Sequence, residues 1–371
     1  MEKLNKANLN NLYFTKKNKV MKLKKIIIVF LIVLLVYIYY KPKFELKIKD
    51  NKNIKNNIYY KLKHNPIINK DNPITNNETN SYNKNIQIHS FAILRKECST
   101  CGLFSFYIYF LGCANKYINK GYIPIIDLKS YPNMYNNFSK TYNEKNPWEN
   151  FFEQPYGYTL EMVLKNETNI TYFYCKGEDN RPNEVKIFYN KISIDYWHIL
   201  ATKFLPIKRE LIIEANIIRK KLFGESKNIL GVKIRGTDYL SVKPRYHPKP
   251  PSINQSITDV KEMDNKYKYD YIFFASEDEK IKERFIKEFK DKIKYFNSNI
   301  KINYNYDIKK FFTAQKDVIG NIEYAQNYII NIYILTKCID IVMTRGSGGA
   351  GIIIFTKGFR HSLIYNLGEY S

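Results

Sequence analysis

A strand that ends on an arginine and a glycine is the first stretch whose residue types suggest chemistry. Residues 229–234 are apolar apart from Lys233 and run directly into Arg235-Gly236-Thr237-Asp238. In α/β proteins, ligands bind at the carboxyl ends of parallel strands. A guanidinium holds a phosphate through two parallel hydrogen bonds, and Thr237 and Asp238 can orient it or cap the following segment. The stretch predicts a phosphate site, with a solvated strand end as the alternative.

A second stretch of this kind, Thr344-Arg345-Gly346-Ser347-Gly348-Gly349, lies between an apolar strand and an apolar helix. A glycine-rich loop at a helix N-terminus directs backbone N–H groups at an anion, and the helix dipole adds to the attraction. The glycines alone are a weak signal, because any tight turn can use them. Together with Arg235, however, Arg345 and Ser347 predict one shared site for a diphosphate.

The elements that must position these residues alternate between strand and helix. Residues 88–94, 102–114 and 121–127 read as strand, helix and strand, which is a βαβ unit with a parallel sheet. The second half repeats the alternation, with helices predicted over 208–223, 277–289, 321–337 and 350–355 and strands over 229–234, 269–275, 294–302 and 338–343. We therefore predict an α/β fold of two facing Rossmann-like doubly wound domains, 88–225 and 226–358, followed by a tail over 359–371.

The N-terminal part is predicted to be a membrane anchor and a tether. A basic tail (1–25) precedes the uncharged residues 26–40, and a Lys/Asn-rich stem (41–87) follows. The apolar run is short for a membrane span, but flanking lysines and tyrosines extend it. A cleaved signal peptide is the rival interpretation, although no small-x-small cleavage site follows. The lysines before residue 26 predict a cytoplasmic N-terminus and a bulk domain across the membrane, in an ER- or Golgi-like lumen if the host is eukaryotic.

The net charge of +25 would suit nucleic-acid or membrane binding. The lysines are spread along the whole chain, however, and no basic cluster interleaved with aromatics occurs, so no nucleic-acid partner is predicted. The five cysteines leave at least one thiol unpaired, and Cys98-Ser99-Thr100-Cys101 has a spacing used for metal or redox work. Without a second such pair or a nearby pair of histidines, no metal site is predicted.

Four stretches, taken in order, resemble the superfamily of α1,6-, α1,2- and protein O-fucosyltransferases. Lys233-Ile-Arg235-Gly-Thr237-Asp238 is similar to its His-x-Arg-Arg-Thr-Asp motif, and Phe273 to Asp278 is similar to its next strand and acidic loop. Residues 334–347 resemble its last motif, in which a serine meets the donor phosphate, and Gly102-Leu-Phe104-Ser105 resembles its N-terminal glycine loop. The resemblance covers residues 88–358.

This resemblance implies a GT-B fold and sugar transfer from a nucleotide sugar, such as GDP-fucose, to a glycan or protein without an essential metal or cofactor. Arg235 would stabilise the leaving diphosphate, with Asp238 beside it as a second catalytic residue. The donor site implied consists of Lys233, Arg235, Thr237, Asn331, Thr344, Arg345, Gly346, Ser347 and Gly348. Lys233 stands where the family has histidine, Gly236 where it has a second arginine, and Asn331 where it has an aspartate that binds guanine.

The acceptor side is predicted more loosely, from residues that precede or follow these motifs. The candidates are Gly102, Ser105, Asp127, Trp148, Glu153 and His247. Trp148 and Glu153 belong to an aromatic and acidic segment that suits a sugar groove, although a tryptophan that anchors a loop to the core is an equal alternative. The general base is left open among Asp127, Asp238, Glu153 and Glu277. A membrane-tethered nucleotide-sugar or glycan-binding protein without catalysis is the alternative function.

Overall fold

The computed structural model describes residues 90–99, 101–136, 145–167, 169–176, 181–183, 186–236, 238–296 and 321–371. All of them belong to one compact unit, Asn85–Ser371. The predicted basic N-terminal tail (1–25), anchor (26–40) and stem (41–87) lie outside the described residues. No helix within the described ranges has the length and apolarity of a membrane span.

The first part of the unit is built around three parallel strands in the order β2-β1-β3. The βαβ unit predicted from the sequence is confirmed, because β1 and β2 pair in parallel across the first helix. The apolar residues of β1 and β2 form a small buried cluster with Leu160 and Val163, which belong to the helix that follows β2. The elements are β1 (Phe91–Arg95), α1 (Leu103–Ile118), β2 (Ile123–Asp127), α2 (Leu160–Asn166), β3 (Ile170–Tyr174), α3 (Lys186–Tyr189) and α4 (Lys191–Phe204).

The second part contains five parallel strands in the order β6-β5-β4-β7-β8. Its strands are short, and the central ones, β4, β5 and β7, are mostly apolar and buried, as parallel strands covered by helices on both sides are. The elements are α5 (Arg209–Phe223), β4 (Ile229–Lys233), α6 (Asp238–Ser241), α7 (Ile253–Tyr267), β5 (Tyr271–Ala275), α8 (Glu279–Phe289), β6 (Ile293–Lys294), α9 (Ile322–Leu335), β7 (Asp340–Thr344), α10 (Ser347–Phe355) and β8 (Ser362–Tyr365). The α/β class with parallel sheets is thus as predicted.

The structure differs from the sequence prediction at three places in this second part. Residues 362–365, placed in the predicted tail, form β8 and pair with β7. Helix α5 lies within the first predicted domain (88–225), but it packs against α9 of the second part. The ring of Phe223 contacts Tyr271 and Phe273 of β5, so this helix covers the second sheet. The strand predicted over 294–302 is formed only at Ile293–Lys294 among the described residues, since 295 and 296 are not in a strand and residues 297–320 lie outside the described ranges.

Helix α10 joins the two parts. It follows β7 of the second sheet, yet it packs against α1, α3 and α4, which accompany the first sheet. Gly351 allows this approach, because a Cβ atom there would overlap the ring of Phe104 on α1. The N-termini of α1 and α10 are consequently brought to the same place, beside the carboxyl ends of β4 and β7.

Candidate functional site

A cavity of about 390 Å³ lies where these ends converge. The first turn of α1 forms one wall, the carboxyl ends of β4 and β7 form the floor, and α9 closes a further side. The lining residues include Gly102, Ser105, Tyr109, Lys233, Arg235, Tyr239, His247, Glu277, Tyr324, Tyr328, Thr344, Arg345, Gly346, Ser347 and Gly348. Most of the residues predicted for a donor site therefore share one cavity.

Arg235 is held from three sides. Its backbone N–H donates to Oγ1 of Thr344 at 3.2 Å, which ties the end of β4 to the end of β7. Its Nε lies 3.0 Å from Oε1 of Glu277, and its Cζ lies 4.7 Å from the ring centroid of Tyr239. The guanidinium is thus fixed in place beside the cavity before any ligand arrives, which reduces the ordering cost of binding.

Lys233 is a buried cation that faces the same cavity. It is the last residue of β4, only 5 % of it is exposed, and its Nζ lies next to Gly348. No described residue forms an ion pair or a hydrogen bond with this amine. Burial lowers the pKa of Lys233, with Glu277 opposing the shift and Arg235 adding to it. A buried cation without a protein partner is costly unless a ligand neutralises it.

The N-terminus of α10 supplies backbone donors to the cavity. Gly346 precedes the helix with a φ of 132°, a conformation that favours glycine, and no side chain caps the first turn. Ser347, Gly348 and Gly349 form that turn, so their N–H groups have no partner within the helix. Helix α10 begins three residues earlier than predicted, which converts the predicted glycine loop into a helix N-terminus suited to an anion.

Glu277 and five tyrosines also line the cavity, and the sequence analysis does not predict any of them for the donor site; the tyrosines are Tyr109, Tyr135, Tyr239, Tyr324 and Tyr328. Glu277 also accepts a hydrogen bond from the Gly236 N–H at 3.3 Å. Burial raises the pKa of Tyr324 and of Tyr328, so both hydroxyls are neutral at ordinary pH. Tyr324 and Tyr328 are four residues apart on α9 and therefore point to one side, a spacing that the apolar pattern of this helix conceals.

Arg345 and His247 line the cavity, and each contacts a residue near the C-terminus, Glu369 or Tyr370. Arg345 Nη2 pairs with Glu369 Oε1 at 3.1 Å. The Tyr370 N–H donates to the His247 carbonyl at 3.0 Å, and the Tyr246 N–H donates to the Tyr370 carbonyl at 2.9 Å. Residues 246–249 and 368–370 therefore form a small antiparallel contact that fixes this part of the wall.

Four predicted residues lie away from the cavity. Trp148 is fully buried and packs on Tyr107 and Phe152, so it anchors its segment to the core and cannot stack on a sugar. The Asn331 side chain donates to the Asn327 carbonyl, and the α9 residues that do line the cavity are nearer the start of the helix. The donor-site prediction at Asn331 and the sugar-groove prediction at Trp148 are therefore wrong.

The two predicted carboxylates of the acceptor side have structural partners. Asp127 is fully buried, accepts from Arg95 Nε at 2.7 Å and caps the N–H groups of Lys129 and Ser130. Glu153 accepts from the Arg209 N–H at the start of α5. Neither lines the cavity, which corrects their assignment to the acceptor side. Thr237 and the side chain of Asp238 lie outside the described residues, so the roles predicted for them stay predictions.

Two disulfides stabilise the first part of the unit. Cys98 is bonded to Cys101, directly before α1, and Cys113 of α1 is bonded to Cys175 after β3. The Cys98–Cys101 bridge fixes the segment that leads to Gly102, and Cys101 itself lines the cavity. Cys338 is a buried free thiol whose pKa is raised by burial to about 12. The described residues contain no group of three or more His, Cys, Asp and Glu side chains placed to hold a metal ion.

The comparisons with known proteins find similar proteins among the solved structures. No family model and no curated protein matches the chain. Among solved structures, NodZ α-1,6-fucosyltransferase soaked with GDP-fucose is 13 % identical with a TM-score of 0.42, covering 72 % of this chain and 93 % of its own. POFUT1 in complex with GDP-fucose is 10 % identical with a TM-score of 0.43, covering 75 % of this chain and 98 % of its own. Fucosyltransferase NodZ from Bradyrhizobium is 11 % identical with a TM-score of 0.42, covering 68 % and 88 %.

These neighbours are fucosyltransferases, as the resemblance of the sequence motifs predicted. The values are too low for the likeness to assign a function to this chain.

Proposed function

We propose that this protein is a GT-B glycosyltransferase that transfers a sugar, fucose or a related one, from a nucleoside-diphosphate sugar to a glycan or protein acceptor. The observation that supports this best is the pair of cations at the end of β4. Lys233 is buried and has no ion-pair or hydrogen-bond partner among the described residues, Arg235 is fixed two residues further along, and both line the cavity together with the first turn of α10. A diphosphate matches this arrangement, because it brings at least two negative charges and many acceptor oxygens to one spot.

The chemistry required of the cavity is stabilisation of a leaving group. The acceptor oxygen bonds to the anomeric carbon while the bond from that carbon to the phosphate oxygen breaks, and the electron pair leaves with the nucleoside diphosphate. Arg235, Lys233 and the N–H groups of α10 stabilise this developing charge, which is the role a metal ion has in other transferases. Metal independence is part of the proposal.

The hydroxyl proton requires an acceptor. Glu277 is the carboxylate that lines the cavity among the residues whose side chains the structure describes. Its partner Arg235 would contact the phosphate, so Glu277 lies near the position of the sugar. We define the donor by its diphosphate and do not assign the base of the nucleotide, since Asn331 does not line the cavity.

We further propose that residues 26–40 anchor the chain in a membrane with the folded unit on the luminal side. The support is the pair of disulfides, because disulfides form and persist in oxidising compartments. Protease treatment of intact microsomes tests this orientation. The folded unit should be protected until detergent is added, whereas degradation without detergent would place the folded unit in the cytoplasm.

The catalytic proposal is tested with the full chain, without metal, against GDP-, UDP- and ADP-sugars. Binding and slow donor hydrolysis are both measured. One donor should be bound and hydrolysed, and Arg235→Ala should lower turnover by about 10²- to 10³-fold. Arg284→Ala, which removes an exposed arginine from α8, is the matched control. Undiminished turnover in Arg235→Ala would refute the proposal, and binding without any hydrolysis would favour the non-catalytic alternative.

A further inference from the structure

Three tyrosine rings form a cluster at the carboxyl ends of the first sheet, on the face opposite α1. Tyr172 and Tyr174 of the edge strand β3 are 47 % and 53 % exposed, and their alternate spacing places both on this face. Tyr131 lies beside them, with its ring centroid 5.5 Å from that of Tyr174 and an interplanar angle of 75°. Phe173, between the two β3 tyrosines, points the other way and stacks on Tyr117 of α1. The three rings, here called the tyrosine platform, therefore form a surface of their own.

An ion pair holds the tyrosine platform in place. Arg95 is the last residue of β1 and is paired in register with Asp127 of β2 and Tyr174 of β3. Its Nε lies 2.7 Å from Asp127 Oδ2, and its Cζ lies 4.2 Å from the ring centroid of Tyr172 and 5.6 Å from that of Tyr131. The hydroxyls of Tyr131 and Tyr174 also contact each other. Rings that are already ordered lower the entropic cost of binding a ligand.

The helix on this face covers only the earlier part of the sheet. Leu160 and Val163 of α2 pack in one buried cluster with Phe91 and Ile93 of β1. The tyrosine platform lies further along the strands, where its rings keep about half of their surface exposed. Contiguous exposed aromatic side chains are typical of a binding surface.

The charges around the tyrosine platform favour a neutral ligand. Arg95, the cation that contacts the rings, is neutralised by the buried Asp127. The hydrogen bond with Tyr131 raises the pKa of Tyr174, and the charge of the exposed Glu97 adds to this shift, so a carboxylate lies near the rings. This carboxylate repels an anion. A neutral sugar instead presents C–H faces to the rings and hydroxyls to the phenol and carboxylate oxygens.

We propose that the tyrosine platform is an accessory glycan-binding site, which holds neutral sugar residues of the acceptor outside the cavity. Tyr131 precedes the cavity-lining Met134 by three residues, so their Cα atoms are no more than about 11 Å apart. A short oligosaccharide spans that distance. This inference rests on the proposed function, because it concerns the acceptor of the same reaction.

The test measures the binding of neutral oligosaccharides to the full chain by calorimetry, with the cavity empty and with pyrophosphate present. The probes are tetrasaccharides built from N-acetyllactosamine, N-acetylglucosamine, mannose or galactose. A proline-rich peptide is the further probe, because grooves lined by aromatic residues also bind such peptides. At least one tetrasaccharide should bind equally well with and without pyrophosphate, and more tightly than its monosaccharide.

Matched variants locate the binding. Tyr172→Ser and Tyr174→Ser should each weaken it about tenfold, as truncation of an aromatic anchor does, and the double variant should abolish it. Tyr189→Ser is the control, because Tyr189 is 52 % exposed but belongs to α3, which packs against α10. Donor hydrolysis needs no acceptor and should be unchanged in all of these variants.

Four results would overturn the inference. These are the absence of binding by every tetrasaccharide, binding that survives the double variant, competition by pyrophosphate, and tighter binding of the peptide than of every glycan. Each of them counts against the tyrosine platform alone as long as a nucleoside-diphosphate sugar is still bound and hydrolysed. Failure to bind any such donor would instead contradict the proposed function.

Discussion

The Glu277 carboxylate lies 3.0 Å from the Arg235 guanidinium and also accepts a hydrogen bond from the Gly236 N–H. The two side chains are 11 % and 19 % exposed, so the pair is only partly screened by solvent. Glu277 is therefore the counter-charge of Arg235 when the cavity holds no ligand. A diphosphate would compete with it for the same guanidinium.

Replacement of Glu277 by glutamine should separate the stabilisation of the empty cavity by the Glu277 charge from the competition of that charge with a diphosphate. Glutamine keeps the size of the side chain and an oxygen for the Gly236 N–H, but it leaves Arg235 without its counter-charge. We expect a lower midpoint of thermal unfolding without ligand and a larger rise on addition of pyrophosphate, because the anion then supplies the missing charge. Glu283→Gln, on the exposed face of α8, is the control. Equal pyrophosphate-induced shifts in wild type and Glu277→Gln would contradict this account.

Replacement of Lys233 by methionine should raise stability and lower ligand affinity. Methionine fills a similar volume without a charge, and removal of a buried charge that has no ion-pair partner among the described residues is expected to stabilise the fold by about 1 kcal/mol or more. The affinity for pyrophosphate should fall at least tenfold. Denaturant unfolding and calorimetric titration measure the two quantities, and a variant that is both less stable and unchanged in affinity would refute the role given to this amine.

The lowered pKa of Lys233 also determines how stability and pyrophosphate affinity should change with pH. Between the lowered pKa of the folded state and the ordinary lysine value, the unfolded chain binds more protons, so the stability contributed by this group rises with pH. Pyrophosphate affinity should fall over the same window as the amine loses its charge. The difference between wild type and Lys233→Met isolates this contribution from that of the tyrosines, and parallel pH profiles for the two proteins would rule it out.

Replacement of Gly348 by alanine should distort the first turn of α10. A Cβ atom there would overlap the Tyr328 hydroxyl and lie 3.2 Å from Cε of Lys233. We expect a loss of about 1–3 kcal/mol of stability, typical of overpacking, together with a loss of pyrophosphate binding. Tyr328→Phe in the same chain removes the overlapping oxygen and should restore part of both, as a double-mutant cycle would measure. A strictly additive cycle would show that the two residues do not interact.

Loss of the Cys113–Cys175 bridge should cost more stability than loss of Cys98–Cys101. The first bridge spans 62 residues and the second spans three, and the loop-entropy relation gives about 4 kcal/mol for the longer loop and less than half of that for the shorter one. Paired alanine variants and urea unfolding test the order. Cys338→Ala is the control for removal of a cysteine that is not bridged. The reverse order would contradict the loop-length argument.

The positions of the strands and their parallel pairing can be predicted from the sequence, because both depend on local residue patterns. The strands before Arg235 and Arg345 were located by their apolar runs, and the parallel pairing followed from the alternation of strands with amphipathic helices. Because carboxyl ends of neighbouring parallel strands meet at one edge, the shared cavity of Lys233, Arg235 and Ser347 was also predictable.

The features that were missed depend on packing between distant segments. Asn331 was placed by analogy with a motif, but the first two turns of α9 approach the cavity and its later turns do not. Trp148 was ambiguous because its aromatic neighbours are equally typical of a groove and of a core. Strand β8 is only four residues long and lies at the edge of the sheet, so only its pairing with β7 distinguishes it from a tail.

The contact of Gly348 with Tyr328 and Lys233 links three positions that are far apart in the chain. A larger residue at position 348 requires a shorter side chain at 328 or 233. Conversely, a side chain shorter than lysine at position 233 leaves more room for a residue other than glycine at position 348. Homologous chains that share this cavity should therefore show correlated substitution at these three positions. Those that keep histidine at the position of Lys233 should differ from this chain at 328 or 348 as well.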